Sequence, residues 1–168
     1  AYPVSDRDVL SFHYGWTFQT PARSFIFENR GISSTVGIRG NPDLEPETNI
    51  AYQAGVQHLF SKDISGTFSV FFKDIYGLIT VRQERDENGN LISVYFNGDY
   101  ASARGFETSI SKSFSHKFSA DISYTYSIAT GVASDPNQAL QFFNGGRLYL
   151  PIAEQALDWD QRNTVNIN

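Results

Sequence analysis

The sequence predicts an all-β protein: an antiparallel transmembrane β-barrel segment of about seven strands, with short turns at one end and long loops at the other. Three observations predict it. Apolar and polar residues alternate with period two, as on a strand whose two faces meet different surroundings. The apolar face is bulky and aromatic, with 14 Phe, 9 Tyr and 2 Trp, while the opposite face is almost entirely Ser, Thr, Gly, Asn and Gln. Connections alternate between short and long along the chain, which places the long loops together.

Residues 1–4 read as the end of a strand, and Ser5-Asp6-Arg7 as a tight turn. The next strand, 8–20, sets Leu10, Phe12, Tyr14, Trp16 and Phe18 against Ser11, His13, Gly15, Thr17 and Gln19. Residues 21–46, with Gly31, Gly37, Gly40, Pro42 and Pro46, read as a long irregular loop. Alternation returns from Glu47 to Phe60, with Ile50, Tyr52, Ala54 and Val56 on one side. Ser61-Lys62-Asp63 turns into a strand at 64–81, which sets Ile64, Phe68, Val70 and Phe72 against Ser65, Thr67 and Ser69. The charged stretch 82–90 reads as a hairpin loop turning at Asn88-Gly89. Strands follow at 91–113 and 117–130, joined by a turn at Ser113–His116. A second long loop covers 131–157, and a last strand begins near Asp158.

The charges respect this arrangement. Asp74 and Arg104 fall on the apolar parity about ten residues from the nearest short turn. Ten residues at roughly 3.3 Å each and a tilt near 40° climb about 25 Å, the height of the apolar band. Both then sit at the outer interface, where a charge costs about 0–1 kcal/mol rather than the ~2–4 of the midplane. They lie on strands joined by the same hairpin, which makes them candidates to pair once the register is known. His58 and Lys112 sit near short turns, at the inner interface.

Composition excludes several classes. There is no cysteine, so disulfides and thiolate metal sites are absent. No Lys/Arg cluster offers a nucleic-acid footprint, and the net charge is −5. No run of 18 apolar residues makes a transmembrane helix. No initiator Met or signal peptide is present and the C-terminal Asn163–Asn168 stops in mid-alternation, so we expect a piece of a longer chain.

At Asn41-Pro-Asp-Leu-Glu-Pro-Glu47 the sequence resembles the Asn-Pro-(Asp/Asn)-Leu-x-Pro-Glu signature of TonB-dependent outer-membrane receptors. Ala103-Arg-Gly-Phe-Glu107 is similar to a strand opening of the same family's barrel, and so is Leu157-Asp-Trp-Asp-Gln-Arg-Asn-Thr164, where Asn163 stands in place of the family's common His. The resemblance covers nearly the whole chain in the family's order. It implies that residues 1–168 are part of a single barrel domain, a fragment without plug, of a ~22-stranded transporter. It further implies a Gram-negative-type cell outer membrane, with the lipid bilayer, a plug domain of the same protein, the TonB complex and a small nutrient ligand as partners. The ligand class is siderophore, cobalamin or glycan. Rival readings are a passive porin, a structural or adhesive barrel, and a soluble all-β binding domain.

No residue is assigned a catalytic, cofactor-binding or metal role, and the substrate-binding residues are unknown. We expect no enzyme: no Gly-x-Ser-x-Gly elbow or catalytic triad is present. Asp86-Glu-Asn-Gly-Asn90 lacks the calcium-loop pattern, since Leu91 stands where Gly is needed. Asp135, Asp158 and Asp160 match no known ligand spacing. His13 and Glu107 face the lumen. His13 could touch substrate, but we expect it to be a hydrogen-bonded wall residue, and the family position of Glu107 implies a buried interior hydrogen bond to the plug or a neighbouring strand, not catalysis. Gly145-Gly146 is followed by Arg147-Leu148, not by a phosphate-binding Lys-Ser/Thr. Phe142, Phe143, Tyr149 and Trp159 are expected to pack the second long loop on itself.

Overall fold

The computed structural model describes residues 1–30, 37–115, 117–140 and 153–168. Strands dominate: β1 (Tyr2–Pro3), β2 (Asp8–Gln19), β3 (Asn29–Arg30), β4 (Gly37–Arg39), β5 (Glu47–Ser61), β6 (Ile64–Arg85), β7 (Leu91–Ser115), β8 (Phe118–Gly131), β9 (Gln155–Ala156) and β10 (Asn163–Ile167). One short helix, α1 (Arg23–Phe27), interrupts the first long connection. Strands β1, β2, β5, β6, β7, β8 and β10 form a meander of seven neighbours, every pair antiparallel. The short connections after β1, β5 and β7 lie at one end of the sheet, and the longer ones, which leave β2, β6 and β8, start from the other.

The register turns sequence alternation into two faces. Phe12, Ala54, Val70, Phe106 and Tyr126 line up across five strands. The adjacent row is Ser11, Gly55, Ser69, Glu107, Thr125 and Thr164, pointing to the other side. On the apolar face, rings meet across strands: Tyr14–Tyr52 at 5.0 Å, Phe68–Phe106 at 5.8 Å and Phe106–Tyr126 at 5.7 Å between centroids. Cross-strand aromatic pairs of this kind stabilise a sheet face. Yet the face is not covered by protein. Phe12 is 74% exposed and Trp16 57%. Burying such side chains is worth about 1.5–3 kcal/mol each, so a face this apolar requires an apolar neighbour.

Buried side chains gather instead at the loop end. Ile79, Val81, Tyr95 and Ala139 form one cluster, with Phe25, Ile38, Leu44 and Leu140 against it. Ala101, Ala129 and Leu157 form a second. These exist because β6 and β7 run past the sheet as a tall hairpin, and the long connections fold back onto it.

Four boundaries differ from expectation. β6 continues to Arg85 rather than ending at 81, because Arg82, Glu84 and Arg85 are the solvated positions of a strand, not loop. Arg82 pairs with Glu84 at 2.5 Å and lies 4.8 Å from the Phe96 ring centroid. β7 likewise extends to Ser115. The last strand begins at Asn163, not near Asp158, because Leu157 and Asp160 are bonded to Ala129 and turn the chain first. The 21–46 connection is not wholly irregular: it holds α1, and β4 adds in parallel to β7, with Gly37 opposite Ile92 and Arg39 opposite Val94. His116, Gly31 and residues 141–152, which include Phe142, Phe143, Gly145, Gly146, Arg147 and Tyr149, lie outside the described residues.

Candidate functional site

The lumen-side wall and its mouth make the candidate site. The wall is polar along most of its length, and side-chain hydrogen bonds link neighbouring segments across it. Asn49 Nδ2 donates to Thr17 Oγ1 at 3.1 Å, and Ser127 Oγ donates to the Gln161 carbonyl at 3.0 Å. Phe71 breaks the polar pattern, with Lys73 Nζ 5.5 Å from its ring centroid. Its register partner is Gly105, in the Ala103–Glu107 segment. A Cβ on Gly105 would run into the Tyr126 carbonyl oxygen and come within 3.0 Å of Phe71 Cζ. Backbone cannot yield as a side chain does, so glycine is required there.

Glu107 faces this wall and is exposed rather than buried, and among the described residues no neighbouring strand supplies it a hydrogen bond. His13 is also exposed on the wall and, among the described residues, has no hydrogen-bond partner; its Nε2 instead covers Gly15, 3.1 Å from where a Cβ would stand. The expected hydrogen-bonded wall histidine is therefore corrected.

At the mouth, a cavity of about 250 Å³ opens between the sheet and the long loops. Gln19, Phe25, Glu47, Asp99, Asp135 and Trp159 are among its lining residues. Glu47 Oε1 accepts the Ile79 amide at 3.2 Å, and Asp135 Oδ1 accepts the Asn137 amide at 2.7 Å. Trp159 is 51% exposed and lines this rim together with Ser134, Asp135 and Leu157.

The Asn41–Glu47 segment is built as a clasp. Asn41 Oδ1 accepts the Asp43 amide at 3.0 Å, closing a turn, while its Nδ2 donates to the Tyr95 carbonyl at 3.0 Å. Asn97 answers from β7: its Oδ1 accepts the Glu45 amide at 2.9 Å, and its Nδ2 donates to the carbonyls of Glu45 at 2.9 Å and Gly77 at 2.7 Å. Gly77, at φ +68°, marks a bulge where β6 shifts register. Sequence reading placed Pro42 and Pro46 in the long loop and Asn41 at the head of the family signature, but it missed Asn97 and Gly77, since neither carries a periodic or spacing signal.

The three aspartates do not gather. Asp160 accepts the Ala129 amide at 2.8 Å and Arg162 Nε at 3.1 Å, and these contacts hold its carboxyl below the usual carboxylate range. The Asp158 amide is bonded to Ser134 Oγ at 2.9 Å. Asn163 accepts the Tyr124 hydroxyl at 2.7 Å. Asp74 and Arg104 are diagonal neighbours across β6 and β7, because Asp74 faces Ser102 and Arg104 faces Phe72. No ion pair joins them among the described residues; Asp74 accepts the Tyr76 hydroxyl at 3.2 Å instead.

These motifs and faces agree with a comparison to known families. The family model for the β-barrel of TonB dependent receptor-like proteins matches residues 2–166. The chain belongs to the TonB-dependent receptor β-barrel family. This is a family of receptors, not of enzymes, and the solved structures the chain resembles are transporters and receptors. The outer membrane transporter YddB from Escherichia coli superposes with a TM-score of 0.62 at 13% identity, covering 78% of this chain and 19% of that one. The siderophore receptor PirA from Acinetobacter baumannii gives 0.60 at 14% identity, covering 98% and 32%. The Serratia marcescens hemophore receptor HasR, solved with its hemophore HasA and heme, gives 0.57 at 21% identity, covering 98% and 26%. The chain thus spans one fifth to one third of the length of these solved chains. No curated protein sequence matches it significantly.

Proposed function

We propose that this chain is wall and loops of a TonB-dependent receptor that takes up a scarce nutrient across a Gram-negative-type outer membrane. One observation carries the reading: a seven-strand antiparallel meander presents one continuous aromatic face and one continuous polar face, with its long loops at one end. Lipid covers the aromatic face, and Trp and Tyr anchor it at the interfaces. The polar face lines the lumen and hydrogen-bonds a plug domain of the same protein and hydrated solute. Glu107, open on that face, is one charged group available to the plug. The loop-end cavity and rim offer a first contact for the nutrient, of siderophore, cobalamin or glycan class, and TonB supplies the pull that opens the path. In this reading residues 1–168 are one stretch of a single barrel domain.

The test is fractionation of the full-length parent protein, with gel mobility recorded before and after boiling, joined to uptake of labelled ferric siderophore, cobalamin and oligosaccharide. Outer-membrane recovery, a mobility shift on boiling and TonB-dependent uptake of one probe are expected. A soluble protein without the shift contradicts the barrel, and TonB-independent uptake favours a passive porin.

A further inference from the structure

Tyr95 stands where the β6–β7 hairpin rises past the rest of the sheet, and it is 1% exposed. Its ring packs on Phe25 of α1, 4.9 Å between centroids. Its hydroxyl lies 3.0 Å from Glu28 Oε2, in the first long loop, and 3.0 Å from the side-chain oxygen position of Asn137, in the second. A phenol has one proton to give. It donates to the Glu28 carboxylate, the charged and stronger acceptor, and accepts from the Asn137 amide with the nitrogen turned toward it. Its backbone carbonyl accepts Asn41 Nδ2 as well. Segments far apart in the chain therefore close on one buried residue of a rigid strand.

We infer that Tyr95 couples the two long loops into one cooperative unit, so that loosening one loosens the other. The hydroxyl is shared: donation to Glu28 strengthens its capacity to accept from Asn137, as in any hydrogen-bonded chain in a medium of low polarity. The apolar contacts run the same way, since Phe25 from the first loop and Ala139 from the second pack on the cluster that holds the ring. Tyr95 is thus a positioning residue for the surface the loops present. This coupling goes beyond the uptake reading and does not depend on it.

The experiment is hydrogen–deuterium exchange on the full-length parent protein in outer-membrane vesicles. Asn137→Ala removes the described hydrogen bond between the Tyr95 hydroxyl and the second loop and leaves its bond to Glu28. It is expected to speed exchange of the Gly40 and Asn41 amides, bonded to the Glu28 and Phe25 carbonyls in the first loop, about ten-fold. The Gln138 and Leu140 amides should rise by a similar factor, while the Gly89 amide in the hairpin turn stays at its wild-type rate. Tyr95→Phe keeps the ring packing and should raise both loops together, and adding Asn137→Ala to it should raise them no further. A rise confined to 134–140 in Asn137→Ala, or no rise in either loop in Tyr95→Phe, overturns the inference. No ligand enters the readout, so this result and the uptake result fail separately.

Discussion

Asp86 shows how one side chain closes a turn that the sequence already marked. Its Oδ1 accepts the amides of Asn88 at 2.9 Å and Asn90 at 2.7 Å, and Gly89 adopts φ +81°, which an L side chain resists. The Asn90 amide is the largest cause holding the Asp86 carboxyl below its usual range. A carboxyl whose folded value lies below its unfolded value near 3.9 stabilises the fold above that value, and the contribution is lost as pH falls through the folded value. The turn should therefore be insensitive between about pH 7 and 5 and loosen below about pH 4. Following the Asn88 and Asn90 amide signals by NMR through an acid titration checks this. Midpoints at or above the ordinary aspartate value would show that those amides do not favour the ionised form.

At the level of elements, period two made the meander legible. Leu10 through Phe18, Ile50 through Val56 and Phe118 through Ile128 each place alternate residues on one face, and the register aligns those faces as expected. What the alternation did not reveal depends on tertiary contact. α1 has five residues and β4 three, too short for any periodic signal, and they form because Phe25 and Ile38 reach the Ile79–Val81–Tyr95 cluster. The mouth cavity was equally hidden, since Gln19, Glu47, Asp99 and Trp159 come from four separate segments. Arg82–Arg85 misled for the opposite reason: both faces of a strand rising beyond the apolar band can carry charge.

The same alternation yields a pairwise prediction. Phe68 and Thr67 are adjacent on β6 but point to opposite faces, about five residues from the short turn. At that height Phe68→Arg puts a charge near the lipid midplane, at about 2–4 kcal/mol for the charge alone, while Thr67→Arg enters the polar lumen at much smaller cost. The folded fraction of the full-length protein, read from gel mobility without boiling, should fall for Phe68→Arg and hold for Thr67→Arg. Equal loss in both would remove the distinction between the faces.

For the whole molecule, the decisive quantity is open edge. Among the described residues, β1 pairs only with β2 and β10 only with β8, so both outer strands present unpaired backbone. In hydrocarbon each unsatisfied group costs several kcal/mol, and in water the aromatic face is exposed instead. Neither solvent suits the 168-residue chain alone. In detergent-free buffer it should aggregate, with no cooperative melt by calorimetry or circular dichroism. A monodisperse, cooperatively melting monomer would mean that the aromatic face is satisfied within the chain.

The central claim is that one face of this sheet meets lipid and the other does not. β5 tests it most directly, in the full-length protein in outer-membrane vesicles, with single spin labels introduced from Ile50 to Gln57 and collision with oxygen and with a water-soluble nickel chelate measured at each. Oxygen collision should peak at Ile50, Tyr52, Ala54 and Val56 and dip at Ala51, Gln53, Gly55 and Gln57. A flat profile, or high nickel collision at Tyr52 and Ala54, would contradict the account.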